Sequence, residues 1–238
     1  MLEVADINSM ILVGGRGTRL RTTVSDRPKV LAPVNDRPFL TYILDQLVSA
    51  GFQEVILCTG YMGDMVKETF GYSYGNLTIT YSQEKEPLGT GGALRLALPM
   101  IKTEYILAMN GDSFVDASLA EYLNWHVSMK AKASLLMVKV NDTRRYGQVE
   151  VNRDGGIVGF EEKGVTTGPG WINAGVYTFA RSLLELIPEG RYSSLEREFL
   201  PALIGTDLIG YPCDAKFIDI GTPESYSMAE TFFAGITF

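Results

Sequence analysis

Apolar and polar positions follow two alternating periods through the first half of the chain. Short, almost continuous apolar runs are typical of buried strands, and such runs occur at residues 10–13, 54–59, 77–81 and 105–109. Between them, apolar residues recur with helical spacing at residues 38–50, 62–70 and 91–100. Gly51 supplies a stop for the first of these helices. Strands that alternate with helices predict an α/β fold with a mostly parallel central sheet flanked by helices.

The second half of the chain is richer in strand patterns. Strands are predicted at residues 133–140, 147–151, 157–162 and 171–179, and helices at residues 119–129, 181–186 and 194–204. No shift of composition marks a boundary, so we expect one domain over residues 1–238. Within it we expect one half at about residues 8–115 and a smaller, strand-rich lobe at about residues 133–222. The single histidine, His126, falls in a predicted helix and is expected to have a packing or surface role.

The composition is that of an ordinary folded protein, with 46% hydrophobic and 21% charged residues among 238. A net charge of −7 argues against a nucleic-acid partner but is compatible with a small anion held by a few local cations. The chain has no apolar run of about 20 residues and no signal-peptide pattern. We therefore expect no membrane partner and a cytoplasmic location. Cys58 and Cys213 follow no disulfide or zinc spacing and are expected to be free thiols.

A glycine-rich segment at residues 14–20 directly follows the first predicted strand. Glycines allow the backbone to approach a phosphate closely, and successive N–H groups can bind an anion. Arg19 within the segment and Lys29 after Pro28 add two cations that could straddle a triphosphate. The segment is not a Walker A loop, because no Gly-Lys-Ser/Thr follows it. A tight turn that binds nothing would carry the same glycines.

Two aspartates stand at the ends of apolar strands. Asp112 follows Asn110 and Gly111, and Asp219 ends the apolar run at residues 217–219. Carboxylates at the carboxyl ends of strands are well placed to bind Mg²⁺, which prefers oxygen ligands together with substrate phosphates. A helix cap is the alternative role for Asp112.

A second glycine cluster, at residues 87–93, opens the third predicted helix. Its backbone could pack against a flat ring such as a nucleobase, although a plain helix N-terminus would show the same pattern. The neighbouring acidic residues, Glu84 and Glu86, are expected in a solvated loop.

These motifs together resemble the sugar-1-phosphate nucleotidyltransferase family. The family signature, Gly-Gly-x-Gly-Thr-Arg-Leu followed by Pro-Lys, stands at residues 14–20 and 28–29. Further matching segments are at residues 89–92, 111–112, 146–147, 160–163, 173–175 and 219–222. The resemblance covers nearly the whole chain. It implies a Rossmann-like nucleotidyltransferase fold, in which the first half binds a nucleoside triphosphate and the strand-rich lobe binds a sugar 1-phosphate.

The resemblance also implies roles for individual residues. Arg19 and Lys29 are expected to be the catalytic cations, and Asp112 and Asp219 the ligands of the expected cofactor, Mg²⁺. The nucleotide is expected to contact Leu12, Gly14, Gly15, Gly17, Thr18, Gln83, Pro87, Gly89, Thr90, Asn110 and Gly111. The sugar phosphate is expected to contact Tyr146, Gly147, Glu161, Lys163 and Asn173.

Within the family, residues 25–29, 32–40, 82–93 and 145–147 resemble guanylyltransferases of a heptose 1-phosphate. The resemblance therefore implies GTP and D-glycero-α-D-manno-heptose 1-phosphate as the substrates. Mannose-1-phosphate guanylyltransferases and N-acetylmuramate-1-phosphate uridylyltransferases share the signature and remain alternatives.

The alternative from another class is a non-catalytic, nucleotide-binding regulatory subunit. Such a protein would be expected to lack Arg19, Lys29, Asp112 or Asp219. All four are present in this sequence, which argues against that alternative. Apolar residues at 195–204 and 232–238 could bury against a second copy of the chain, which leaves a homodimer open.

Overall fold

The computed structural model describes residues 4, 7–20, 22–153, 155–161 and 167–237. Strands are formed by β1 (Asn8–Leu12), β2 (Pro33–Val34), β3 (Arg37–Pro38), β4 (Glu54–Thr59), β5 (Ser73–Tyr74), β6 (Leu77–Gln83), β7 (Tyr105–Asn110), β8 (Ser113–Val115), β9 (Ala133–Val140), β10 (Val149–Val151), β11 (Ile157–Phe160), β12 (Gly170–Ala180), β13 (Leu208–Cys213) and β14 (Phe217–Asp219). Most of the predicted strands are present with ends shifted by a residue or two, and those at residues 54–59 and 133–140 have the predicted bounds.

The helices are α1 (Leu40–Ala50), α2 (Gly63–Phe70), α3 (Gly89–Ala97), α4 (Leu119–Ser128), α5 (Arg181–Leu184), α6 (Leu200–Ala202), α7 (Pro223–Ser227) and α8 (Ala229–Phe233). Short 3₁₀ turns occur at Lys29–Leu31 and Leu98–Met100. The helix predicted at residues 194–204 is a π-helix, Leu195–Phe199, that runs into α6. In the described part of the chain, every helix is too short or too polar to span a lipid bilayer.

In the part of the chain that the structure describes, eight strands form one sheet in the order β13-β9-β12-β7-β1-β4-β6-β5. The middle of this sheet, β7-β1-β4-β6, is parallel. Strand β12 lies antiparallel between β7 and β9. The mostly parallel central sheet is therefore confirmed, and β9, β12 and β13 of the second half extend it. The hairpin β10–β11 lies outside the large sheet.

Apolar side chains from both faces of the sheet are buried in separate clusters. Ile11 of β1 points into a cluster with α1, α2, α4 and α8, whereas Met10 points into a cluster with α3, α5 and the π-helix. This alternation follows from the two-residue period of a strand, and cover on both sides explains the continuous apolar run at residues 10–13.

Helix α1 shows how the sequence pattern produces one of the covering layers. Ile43, Leu44 and Leu47 are fully buried on its inner face. Gly51 ends the helix as predicted, with φ of 92° and its N–H directed to the carbonyl oxygens of Leu47 and Val48.

The two apolar segments that could have faced a second copy are largely buried in the chain itself. Leu195 and Leu200 are completely buried, and Phe233 is stacked on Tyr42 with ring centroids 3.7 Å apart. The apolar character of these segments is therefore explained by the core of one chain.

We expect Leu44→Ala to lower the free energy of unfolding by about 2–5 kcal/mol, because it opens a cavity between α1 and the sheet. Ser49→Ala, at an exposed position of the same helix, should change it by less than about 0.5 kcal/mol. Urea denaturation followed by circular dichroism measures both. Equal stabilities for the two variants would contradict the assigned inner face.

Candidate active site

A cleft of about 590 Å³ lies at the carboxyl ends of β7, β1, β4 and β6. The chain leaves β1 in one direction to β4 and later returns on the other side of β1 as β7. Crevices at such switch points are the usual ligand sites of open α/β sheets. The polar segments that follow β1, β6 and β7 all line this cleft.

Most of the residues predicted to hold a nucleotide or to act as catalytic cations meet in this cleft. Those that line it are Leu12, Gly14, Gly15, Gly17, Thr18, Arg19, Lys29, Pro87, Gly89, Thr90, Asn110 and Asp112. Gln83 and Gly111 do not line it. Gln83 is directed towards α2, since its Nε2 lies 3.5 Å from the position of a Cβ on Gly63. Gly111 is buried against the backbone of β1.

Lys29 and Asp112 form an ion pair on one side of the cleft. The Nζ of Lys29 donates to Oδ2 of Asp112 at 2.6 Å, and only 10% of the Lys29 side chain is exposed. Burial alone would raise the pKa of Asp112, but Lys29, with a further contribution from Arg19, holds it below its usual value. Asp112 is therefore a carboxylate at neutral pH. The glycine-rich segment passes over the pair, with Gly17 at φ of 57° against Lys29.

Asp219 is brought beside Asp112 by a short antiparallel pair of strands, β8 and β14, in which it lies opposite Ser113. Its Oδ1 accepts the N–H of Gly221 at 2.9 Å and lies 3.4 Å from the guanidinium of Arg145. Gly221 itself lines the cleft. Asp112, in the turn before β8, and Asp219, at the end of β14, are thus neighbours beside the cleft.

The donor set at this end suits a metal ion that is shared with a substrate. Mg²⁺ commonly binds one or two carboxylates and completes its coordination with water and phosphate oxygens. Asp112 and Asp219 offer such a pair. Among the described residues there is no group of three His, Cys, Asp or Glu side chains that could hold a metal. The residues present therefore fit Mg²⁺ as a partner of a bound phosphate.

The residues predicted to hold a sugar phosphate lie outside the set that lines the cleft. Tyr146 is linked to the cleft through Arg145, whose guanidinium lies 5.3 Å from the Tyr146 ring centroid and contacts Asp219. Gly147 follows directly. Glu161 joins the same region, because its N–H donates to the carbonyl oxygen of Gln148 at 2.8 Å. Lys163 lies outside the described residues.

Asn173 spans an irregularity in β12. Its Nδ2 donates to the hydroxyl of Tyr177 at 2.9 Å, and its Oδ1 accepts the N–H of Gly175 at 2.9 Å. The register with β9 shifts between Asn173 and Tyr177. Asn110, which lines the cleft, is next to this bulge, since its Nδ2 lies 2.7 Å from the position of a Cβ on Gly175.

The second glycine cluster packs closely against another segment of the chain, residues 191–193. Gly89 has φ of 73°, and a Cβ there would lie 2.5 Å from the carbonyl oxygen of Ser193. The hydroxyl of Thr90 donates to Glu196 at 2.9 Å and accepts the N–H of Leu195 at 2.8 Å. These glycines allow the segment before the π-helix to approach α3, and Gly89 also lines the cleft, so the expected contact with a flat ring stays a prediction.

That approach adds two residues to the cleft wall that the sequence did not indicate, Tyr192 and Glu196. Glu196 is 106 positions from its partner Thr90 and lies in a π-helix, a form often found at functional sites. Neither residue belongs to a short motif, so no local pattern would have identified them.

Glu84 is a third residue that sequence reasoning missed. It was expected in a solvated loop, but it is half-buried and lines the cleft. Glu86 also lines the cleft and is exposed, as expected. Its Oε2 accepts the N–H of Leu88 at 3.0 Å. Burial raises its pKa, with the Leu88 hydrogen bond acting in the opposite direction.

Neither Cys58 nor His126 supplies a reactive group. Cys58 lines the cleft, but burial raises the pKa of its thiol to about 12, so the thiolate is not available at neutral pH. His126 of α4 is fully buried, and its Nδ1 is 2.8 Å from the hydroxyl of Ser134 on β9. Burial lowers its pKa to about 4, which agrees with the expected packing role.

Comparison with known proteins gives one consistent result. The profile of the family described as Nucleotidyl transferase matches residues 8–235. The D-glycero-alpha-D-manno-heptose 1-phosphate guanylyltransferase of Aneurinibacillus thermoaerophilus is 39% identical over 225 residues, which are 94% of this chain and 97% of that protein. The mannose-1-phosphate guanylyltransferase of Mycobacterium tuberculosis is 37% identical over 224 residues, which are 92% of this chain and 62% of that protein.

Comparison with solved structures gives a similar result. HddC from Yersinia pseudotuberculosis, in a crystal structure complexed with GMP-PN, has a TM-score of 0.85 and 32% identity. The match covers 95% of this chain and 99% of that one.

We expect Thr90→Val to lower the free energy of unfolding by about 1–3 kcal/mol, since it leaves the buried N–H of Leu195 without an acceptor. Thr90→Ser keeps the hydroxyl and should be close to the unaltered protein. Thermal unfolding of both variants without any ligand is the measurement. If the Val and Ser variants were equally stable, the Thr90 hydroxyl would not contribute to the stability of the contact between α3 and the π-helix.

Proposed function

The chain belongs to the Nucleotidyl transferase family, and we propose that it transfers GMP from GTP to D-glycero-alpha-D-manno-heptose 1-phosphate. An oxygen of the sugar phosphate forms a bond to the α-phosphorus of GTP. The bond from the α-phosphorus to the oxygen that it shares with the β-phosphorus breaks, and pyrophosphate leaves with the electron pair. The observation that carries the proposal is the cleft at the β1–β7 switch point, where Lys29, Asp112 and the glycine-rich segment meet.

Two anionic substrates must come together for this reaction, so the main task of the protein is to offset charge. Arg19 and Lys29 are the cations that we assign to it. The planar guanidinium of Arg19 is suited to bridging phosphate oxygens. Lys29 is a compact charge, and its low exposure limits competition from water. Both act by positioning and by stabilising the charge of the transition state, as phosphoryl chemistry requires.

The nucleotide is proposed to lie along the cleft with its phosphates over residues 14–19. The open backbone at Gly15, where a Cβ would meet nothing within 4 Å, is consistent with a ligand at this position. Asn110 adds an acceptor, because its Oδ1 is buried with no hydrogen-bond partner in the described part of the chain. A buried polar atom of this kind normally has a partner, and a ligand hydroxyl would satisfy it.

Asp112 and Asp219 are the residues that we propose to hold Mg²⁺. When bound, the ion would supply positive charge against the α-phosphate and the leaving pyrophosphate. In the structure, the positive charge beside Asp112 is that of Lys29.

The sugar phosphate is proposed to approach from the side of Asp219, where Arg145 links the metal end of the cleft to Tyr146. Tyr146 and Gly147 would form one wall, with Glu161 on sugar hydroxyls and Lys163 near the phosphate. Asn173, at the irregularity in β12, would also contact the sugar phosphate.

No general base is needed, because the attacking phosphate oxygen is already an anion. The surroundings of His126 agree with this, since it is fully buried and its pKa is lowered to about 4. The carboxyl of Asp112 is also a poor proton acceptor, because its pKa is held low by Lys29.

The relatives favour guanylyl transfer more strongly than any one sugar. Both named relatives are guanylyltransferases, but one acts on a heptose 1-phosphate and the other on mannose 1-phosphate, at 39% and 37% identity. Mannose 1-phosphate is therefore the second candidate acceptor.

The proposal is tested by pyrophosphate release from GTP, dTTP, UTP, CTP and ATP against the 1-phosphates of heptose, mannose, glucose and N-acetylmuramic acid. We expect turnover to be selective for GTP with the heptose phosphate and to require Mg²⁺. Preference for GTP with mannose 1-phosphate would contradict the heptose phosphate as the acceptor and would still support guanylyl transfer. Nucleotide binding without turnover on any of these sugars would favour a regulatory subunit.

Lys29→Ala is expected to lower kcat by roughly 10²–10³, the usual effect of removing one stabilising contact to transition-state charge. Asp112→Ala should cost more, because it removes both the partner of Lys29 and a metal ligand. Lys132→Ala serves as the control, since Lys132 forms a mostly exposed pair with Asp207. Near-normal kcat in either active-site variant, at saturating Mg²⁺ and with an unchanged circular dichroism spectrum, would contradict the assignment.

A further inference from the structure

Strand β12 carries two half-buried side chains past the edge of the sheet at which the cleft lies. It pairs with β7 from Val176 to Ala180, and Val176 lies opposite Met109, the residue before the last of β7. Because the two strands are antiparallel, the residues of β12 that precede Val176 extend beyond the carboxyl end of β7. Trp171 and Asn173 are both in this extension, and both are half-buried.

Trp171 and Asn173 face the side of the sheet that carries one wall of the cleft. Side chains two positions apart on a strand share a face, and the step between them is ~6.8 Å. Tyr177 belongs to the cluster with α3, α5 and the π-helix, and Trp171 packs against that cluster, whereas Ile172 belongs to the opposite one. Residues of α3 and the π-helix also line the cleft. Asn173 and Trp171 are therefore consecutive positions of one surface beside the cleft.

The contacts of Trp171 leave its polar group available to a ligand. Its indole packs against the cluster, as do Val151 and Phe160 of the hairpin β10–β11. Glu161, which we assign to sugar hydroxyls, directly follows Phe160. No hydrogen bond joins the indole N–H to another residue of the described chain. A tryptophan N–H that is partly buried usually has an acceptor, and a hydroxyl of a bound sugar can supply it.

We propose that Trp171 is a specificity-determining residue that contacts the exocyclic carbons of the sugar, an inference that rests on the proposed transfer to a heptose 1-phosphate. The heptose and mannose share one pyranose ring and differ in the group on C5, which is CH(OH)–CH₂OH in the heptose and CH₂OH in mannose. Trp171 lies one strand step farther than Asn173 from Asn110 and the cleft. With Asn173 at the ring, Trp171 meets the atoms that project from it, so the additional carbon packs on the indole and its hydroxyl accepts the N–H.

Trp171→Leu tests this role by activity, because it keeps an apolar side chain at the cluster and removes the flat ring and its N–H. The measurement is the ratio of kcat/KM for heptose 1-phosphate to kcat/KM for mannose 1-phosphate at saturating GTP. We expect a ratio of roughly 10–200 in the unaltered protein, the range for one carbon in an apolar pocket. In Trp171→Leu the ratio should approach one through a loss with the heptose phosphate alone.

Trp125→Leu is the matched control for these kinetics. Trp125 is in α4 and packs against the cluster on the opposite face of the sheet, with its ring centroid 4.9 Å from that of Tyr211. It has no contact with the surface formed by Asn173 and Trp171. The heptose-to-mannose ratio of this variant should equal that of the unaltered protein.

Fluorescence tests the same contact without altering Trp171. The chain has two tryptophans, so Trp125→Phe leaves Trp171 as the only one. This variant is titrated with the GDP-sugars of heptose and mannose, which bind without turnover when pyrophosphate is absent. We expect the heptose product to shift the emission to shorter wavelength, because it excludes water from the indole, and the mannose product to shift it less. In Trp171→Phe, where only Trp125 emits, the two products should give the same emission.

Two results would overturn the inference. One is a heptose-to-mannose ratio in Trp171→Leu that equals that of the unaltered protein, with an unchanged circular dichroism spectrum. The other is an equal emission change for both GDP-sugars in Trp125→Phe, a result that does not depend on the folding of Trp171→Leu. The proposed function fails differently, because the unaltered protein would then prefer mannose 1-phosphate or transfer GMP to neither sugar.

Discussion

The parallel pairing of β6, β4, β1 and β7 constrains the positions of most candidate functional groups in the cleft. Strands that run in one direction and pair directly must release their following segments side by side at the same edge. Groups that are far apart in sequence therefore become neighbours in the order of the strands. The antiparallel pairing of β8 with β14 adds an element from late in the chain, and it places Asp219 next to Asp112. The proposed chemistry depends on these backbone pairings, since no short motif contains both aspartates.

Much of the fold could be predicted because its strongest signals are local. The stripe of α1 with its Gly51 stop, and the apolar runs of β4 and β9, depend on residues within one element. The place of β12 between β7 and β9 could not be read in the same way. Strand order is set by pairing between distant segments, and a strand carries no local mark of its neighbour.

The same distinction applies to the site. Lys29, Asp112 and the glycine-rich segment were identified because each directly follows a strand or lies close to it in sequence. Glu196 was missed because a contact with Thr90, 106 positions away, brings it to the cleft. For Gln83 and Glu84 the difficulty is one of register. Side chains alternate at the end of β6, so only the observed end of the strand decides which of the two faces the cleft.

Both ends of the cleft carry carboxylates, yet their surroundings change them in opposite directions. Lys29 and Arg19 outweigh burial at Asp112 and lower its pKa, whereas burial dominates at Glu84 and raises its pKa. A polyphosphate is attracted to the first end through the cations that accompany the carboxylate, and it is repelled from the second, where none of the described cations pairs with Glu84. We therefore propose that a bound nucleotide has its phosphates at the Asp112 end of the cleft. In a chain with a net charge of −7, this preference depends on where a few cations lie and not on the overall balance.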